Sequence, residues 1–339
     1  MRPKVLIASY LEPERVERIR AAVPAVEVVY RPDLIGAPRF QADHTAPVHR
    51  TPQQEGEWRE LLAEAEILFD FDHTHREDLP ALAPKLKWIQ ATSAGIGQLV
   101  KRNGYDRQGW RFTTASGVHA RPLAEFCLMA MLMFVKNYPV MDAQKRARLW
   151  QRFNNTELRG MTVGIVGLGR IGRDIAQVCE FFGMRVLACR RRRTNPPHTV
   201  DTLFAPDQLN DLLPQVDFLV LCAPHTPETD GLLSAERIGL MKPGAVLINI
   251  ARGALVDYSA LKRALRDGRL GGAALDVTDP EPLPADDPLW DMPNVIISHH
   301  SASTADTENG KLTDLFIRNL HRYLDDEPLE NLLDIELMY

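Results

Sequence analysis

The run TVGIVGLGRIG at residues 162–172 constrains this chain more than any other feature. An apolar strand leads straight into Gly167, Gly169 and Gly172, and RDIAQVCEFFG continues as a helix. Each glycine has a different task in such a turn. Gly167 permits the tight bend, Gly169 lets a pyrophosphate approach the backbone, and Gly172 lets helix and strand pack closely. The helix N-terminus then presents unsatisfied amides to the phosphates. A bare glycine pattern is weak; strand, glycines and helix in register predict a dinucleotide-binding α/β unit.

The second strand of that unit, RVLAC, runs into four arginines, Arg190 to Arg193. An acid normally stands there to hold the adenosine ribose. Arginines instead suit a 2'-phosphate, to which they offer planar, charge-assisted donors. Arg190 and Arg191 stand nearest the strand end, with Arg192, Arg193 and Thr194 as further contributors. The expectation is NADP, with NAD possible. A solvated charged loop and a nucleic-acid patch are the competing readings. Net charge is −5, from 40 basic and 45 acidic residues, so no global basicity supports nucleic acid or a membrane surface. No aromatic platform or second basic cluster does so either.

At 339 residues the chain exceeds the size at which single cores stop growing, which favours two domains. The first reads as alternating strands and helices: KVLIAS, VEVVY, ILFDF and LKWIQATS are its strands, without hairpin signals, which implies a parallel sheet. An apolar helix is expected from about Pro122 to Lys145, kinked or interrupted at Pro139. Its apolar surface suits a core, a domain junction or a subunit interface. The second α/β domain reads MTVGIV, RVLAC, DFLVLCA, AVLINIA, AALDV and NVIIS as strands. An amphipathic helix follows within TADTENGKLTDLFIRNLHRYLDD. Four scattered cysteines read as buried thiols, no signal peptide fits the N-terminus, and no eighteen apolar residues run together. A soluble cytoplasmic protein is the expectation.

Three strand exits in the second domain carry charge. Arg252 follows VLINIA, Asp276 and Glu281 follow AALDV, and His299 and His300 follow NVIIS. Ligands of open parallel sheets bind beyond the carboxyl ends of strands. Arg252 suits a carboxylate, a histidine can pass a proton to a carbonyl oxygen, and Glu281 can orient that imidazole. Each has a duller role as well: a surface ion pair, a turn cap, a structural histidine. In extended backbone His299 and His300 point apart, and with no nearby cysteine no metal site is expected.

Taken together, LRGMTVGIVGLGRIGR, APHTPETDGLL, MKPGAVLINIARGALVD, GGAALDVTDPEPLP and NVIISHHSAST resemble the D-isomer-specific 2-hydroxyacid dehydrogenase family over almost the full length. The resemblance implies two Rossmann-like doubly wound parallel-sheet domains. A flavodoxin-like substrate domain, 1–122 plus 305–339, would be interrupted by a dinucleotide-binding domain, 123–304. It implies Arg252, Glu281 and His300 as the catalytic set. Ala94 and Gly95 in TSAGIG, with Arg252, would bind the substrate carboxylate. The cofactor contacts implied are Gly167, Gly169, Arg170, Ile171, Gly172, Arg190, Arg191, Ala223, Pro224, Thr229, Ile250, Ala251, Asp276 and His300.

Hydride would pass between NADP(H) and C2 of a small 2-oxo acid, with His300, paired to Glu281, exchanging the proton. Homodimers are common in the family, and MDAQKRARLWQRFNN is a candidate segment for sending Trp150 or an arginine toward a neighbour's active site. Two departures stand out: His299 replaces the family's usual proline, and Phe126 stands where many relatives have histidine. A non-enzymatic NAD(P)-sensing regulator or corepressor of the same fold is the alternative. A formate dehydrogenase is disfavoured because those relatives carry Gln at the position of Glu281; phosphite oxidation, a rare activity, stays open.

Overall fold

The computed structural model describes residues 2–191 and 197–339. Arg192, Arg193 and Thr194, named above as possible phosphate ligands, lie outside the described residues. The chain forms two compact units, 1–119 with 304–339, and 120–303.

In the first unit five parallel strands are paired: β1 (Lys4–Ile7), β2 (Glu27–Val29), β3 (Ile67–Phe69), β4 (Trp88–Gln90) and β5 (Arg111–Thr113). Their order is β2-β1-β3-β4-β5, the flavodoxin-like order. The central strands β3 and β4 are buried on both faces, as parallel strands between helical layers are. Leu6, Leu68 and Ile89 face one apolar layer, while Val5, Ile7, Phe69 and Trp88 face the other. The helix Glu308–Leu324 contributes Leu312, Leu315, Phe316 and Leu320 to that second layer. Local chemistry sets the element ends. Thr51 and Gln54 form a reciprocal capping box across the first turn, with Pro52 as the first residue of the helix Pro52–Glu64.

The second unit holds, among the described residues, seven parallel strands: β6 (Thr162–Val166), β7 (Arg185–Cys189), β8 (Thr202–Phe204), β9 (Phe218–Leu221), β10 (Val246–Asn249), β11 (Gly272–Leu275) and β12 (Val295–Ile297). Their order is β12-β11-β10-β9-β6-β7-β8. Counted from β6 this is the Rossmann order with one added strand, and the order reverses between β6 and β9. Alternate residues again feed opposite layers. Leu187, Leu219, Leu221 and Leu247 face one, and Val186, Phe218, Val220 and Ile248 the other. The expected α/β architecture is therefore the observed one.

The long helix expected from Pro122 to Lys145 is two helices, Ala120–Val135 and Tyr138–Arg146, bent by 65°. Pro139 interrupts it, but the break falls before the proline. A proline ring clashes with the carbonyl four residues earlier, and that residue is Val135, where the first helix ends. Asn137 turns left-handed there, φ 51°. The freed Val135 carbonyl accepts the Thr156 N–H at 3.0 Å. Among the described residues no single helix is long and apolar enough to cross a membrane.

Candidate active site

The glycine turn sits where the strand order of the second unit reverses. Gly167 has φ +104°, and a Cβ there would lie 2.6 Å from the Ala223 nitrogen at the exit of β9. A Cβ on Gly172 would lie 2.1 Å from the Gly167 oxygen, so turn and helix touch backbone to backbone. Gly169 differs: it caps the helix Arg170–Phe181, and nothing lies within 4 Å of where its Cβ would be. That open face over a helix N-terminus is a cradle a side chain would fill and a pyrophosphate can enter. The residues present fit a dinucleotide.

Around this turn lie the other expected cofactor residues. Arg170 and Ile171 open the helix. Ala223, Ile250 and Ala251 are buried at the exits of β9 and β10. Thr229 accepts the Thr226 N–H at 2.8 Å and donates to the Pro224 carbonyl at 2.7 Å, closing the loop after β9. At the end of β7 the Arg190 N–H donates to the Phe204 carbonyl at 3.2 Å, so its side chain leaves from the strand exit itself. Arg191 is exposed and lies 3.4 Å from Glu228, on the loop after β9. Both partners are largely solvated, so the pair is weak.

Arg252, Asp276, Glu281 and His300 come together at the exits of neighbouring strands β10, β11 and β12. His300 Nδ1 and Glu281 Oε1 are 2.6 Å apart. Arg252 is half-buried, and its Nη1 donates to the Ala251 carbonyl at 2.7 Å. Burial pushes its guanidinium below the ordinary pKa, while the charges of Glu281 and Asp276 oppose that shift. An arginine so placed stays charged. Among the described residues no three His, Cys, Asp or Glu side chains are placed to hold a metal ion.

Asp276 does work the sequence did not reveal. Its Oδ1 accepts the Ser298 hydroxyl at 2.7 Å and the Ala302 N–H at 2.9 Å. Its carbonyl accepts the His300 N–H at 2.6 Å. These bonds curl the chain after β12, and this corrects the extended backbone expected of the two histidines. His299 and His300 have φ 54° and 56°, both left-handed. Such backbone costs about 1–2 kcal/mol per residue outside glycine, so it persists only where the surroundings impose it. Proline, the usual residue of relatives at position 299, has φ fixed near about −65° and cannot adopt this conformation. Asn249 was also missed. Fully buried, it accepts the Ala251 N–H at 3.1 Å and donates to the Arg252 carbonyl at 3.0 Å, fixing the turn that carries Arg252. A buried asparagine at the end of an apolar strand is the signal that would have found it.

Ala94 and Gly95 belong to the other unit, in the loop leaving β4.

Residues 128–302, just over half of the chain, match the NAD binding domain of D-isomer specific 2-hydroxyacid dehydrogenase. A glyoxylate reductase from Korarchaeum cryptofilum is 31% identical over 76% of this chain and 78% of its own length. A D-3-phosphoglycerate dehydrogenase from Mycobacterium bovis is 36% identical over 69% of this chain, which spans only 44% of that longer protein. Among solved structures, the NADPH-dependent glyoxylate/hydroxypyruvate reductase from Sinorhizobium meliloti, in complex with NADP and sulfate, superposes with a TM-score of 0.81. It is 26% identical, with 99% of this chain and 100% of that one covered.

Proposed function

The chain belongs to the D-isomer specific 2-hydroxyacid dehydrogenase family, and from that premise we propose that it reduces a small 2-oxo acid to a D-2-hydroxy acid, preferring NADPH. The observation that carries this reading is the 2.6 Å His300–Glu281 pair, with Arg252 on a neighbouring strand exit. When bound, the nicotinamide supplies the hydride at C2. Arg252 holds the substrate carboxylate with forked hydrogen bonds, which aims C2. Glu281 occupies Nδ1 of His300 and orients the ring. Nε2 is then the nitrogen that gives a proton to the C2 oxygen, or takes it back in oxidation. The similarity to glyoxylate and glyoxylate/hydroxypyruvate reductases supports two- and three-carbon substrates.

A kinetic screen of glyoxylate, hydroxypyruvate and bulkier 2-oxo acids, with NADPH and NADH side by side, tests activity, size and cofactor together. Absence of turnover with every pair would leave a nucleotide-binding regulator in place of the enzyme.

Cofactor preference rests on Arg190 and Arg191. Replacing both with glutamine is expected to raise the KM for NADPH about 10- to 100-fold and that for NADH less than about twofold. Equal changes in the two constants would show that these arginines do not read the 2'-phosphate.

The same reading includes a homodimer. Met129, Tyr138, Val140, Met141, Leu149 and Phe153 are partly exposed, and Trp150 is 99% exposed. Apolar surface gathered so closely in sequence suits a second copy. Sedimentation of the wild type at twice the chain mass, and of a Leu149→Asp/Trp150→Asp variant at the single mass, is the expected result. A wild-type monomer at micromolar concentration would refute it.

A further inference from the structure

Two loops carry the proposed acid–base pair, one running on from β11 with Glu281 and one from β12 with His300. Neither is regular structure around the pair, and both members are more than 40% exposed. Yet a useful pair must be held to a fraction of an ångström. Asp276 ties the two loops at their start, and Trp290 touches both of them further out. The Trp290 indole Nε1 donates to the Pro284 carbonyl at 2.8 Å, within the loop that carries Glu281. Its ring stacks on the His299 imidazole, centroids 5.6 Å apart at 24°. Beside them a cavity of about 190 Å³ is lined by Leu283, Ile297, Trp290 and His299 together with Glu281 and His300. On that side the pair faces open space whose lining includes the stacked rings.

We propose that Trp290 and His299 are positioning residues for the His300–Glu281 pair, clamping the two loops by one hydrogen bond and one ring stack. The stack also offsets the left-handed backbone at 299 and 300, since it holds His299 in the conformation that aims its neighbour. The catalytic consequence rests on the reductase reading; the clamp itself does not.

Four variants test it in the intact protein with its cofactor: Trp290→Ala, Trp290→Phe, His299→Ala and His299→Phe. Loss of the clamp in Trp290→Ala should lower kcat about 10- to 100-fold, with the KM for cofactor within about twofold, because a misplaced catalytic group affects the step and not the binding. Trp290→Phe keeps the stack without the hydrogen bond and should fall between Trp290→Ala and wild type. His299→Ala should be impaired, and His299→Phe should restore activity. A second readout needs no turnover: the low-field Nδ1 proton signal of the short His300–Glu281 bond in NMR. It should be present in wild type and His299→Phe and weakened or lost in Trp290→Ala. An unchanged signal and kcat in Trp290→Ala overturn the proposal, as does His299→Phe behaving like His299→Ala. If the wild type turns over no 2-oxo acid, the reductase reading fails while the proton signal still decides the clamp.

Discussion

Replacing His300 with asparagine is expected to lower kcat about 10²- to 10⁴-fold, the range over which a positioned general acid–base contributes. Dissociation constants for NADPH and NADH should stay within about twofold, since no part of the glycine turn is disturbed. The magnitude follows from the geometry: Glu281 already engages Nδ1, at 2.6 Å, and asparagine offers no second ring nitrogen to carry the proton. Glu281→Gln should be milder, because it keeps a hydrogen-bonding partner for Nδ1 and loses only the carboxylate charge. His299→Ala should cost less than His300→Asn. The reverse ranking of the two histidines would mean that the proton passes through His299 and that the proposed assignment is wrong.

Arg252→Ala is expected to be nearly as severe. Truncating one member of a hydrogen-bonded charge pair costs about 2–5 kcal/mol, so kcat/KM should fall by roughly 30- to 5,000-fold. Arg252→Lys should recover little of this, because an ammonium is a point charge and cannot fork to both carboxylate oxygens. The loss should shrink for substrate analogues in which an amide replaces the carboxylate. Were the variant equally impaired with both classes, Arg252 would be acting on the fold and not on the substrate. Steady-state kinetics with matched acid and amide substrates decide the matter.

Why some of this was legible in the sequence and some was not has a physical basis. Strand β6, the three glycines and the helix after them share one register, so a single pattern carried both fold and cofactor class. Charged residues directly after apolar strands were visible for the same reason, because strand exits are short. Strands β5 and β8 were not read. Each is three residues long and lies at the edge of its sheet, where no continuous apolar run is needed. A kink or interruption is expected at Pro139; the interruption is found, but at Asn137, since the clash acts on the residue four before the proline. The backbone at His299 and His300 was misjudged because it is imposed from another strand exit, by both carboxylate and carbonyl of Asp276. Ser298 is not legible because its partner, Asp276, is distant in sequence, and Asn249 and Trp290 are not because a hydrogen bond or ring stack leaves no periodicity.

The interruption of the first unit by the second has a consequence for how the protein is made. Residues 120–303 are continuous and can collapse as soon as they leave the ribosome. The first unit cannot. Its apolar layer around Ile7, Phe69 and Trp88 lacks Leu312, Phe316 and Leu320 until the last segment, 304–339, is synthesised. Edge strand β5 likewise waits for Leu332, which bridges to Thr113. At about 5–20 residues per second that wait is roughly 10–40 s, with one face of the first sheet only partly covered, by Val16 and Ile19 of the helix Pro13–Ala22. The order of completion is thus opposite to the order of synthesis, and the half-built first unit is where a nascent chain has most need of a chaperone.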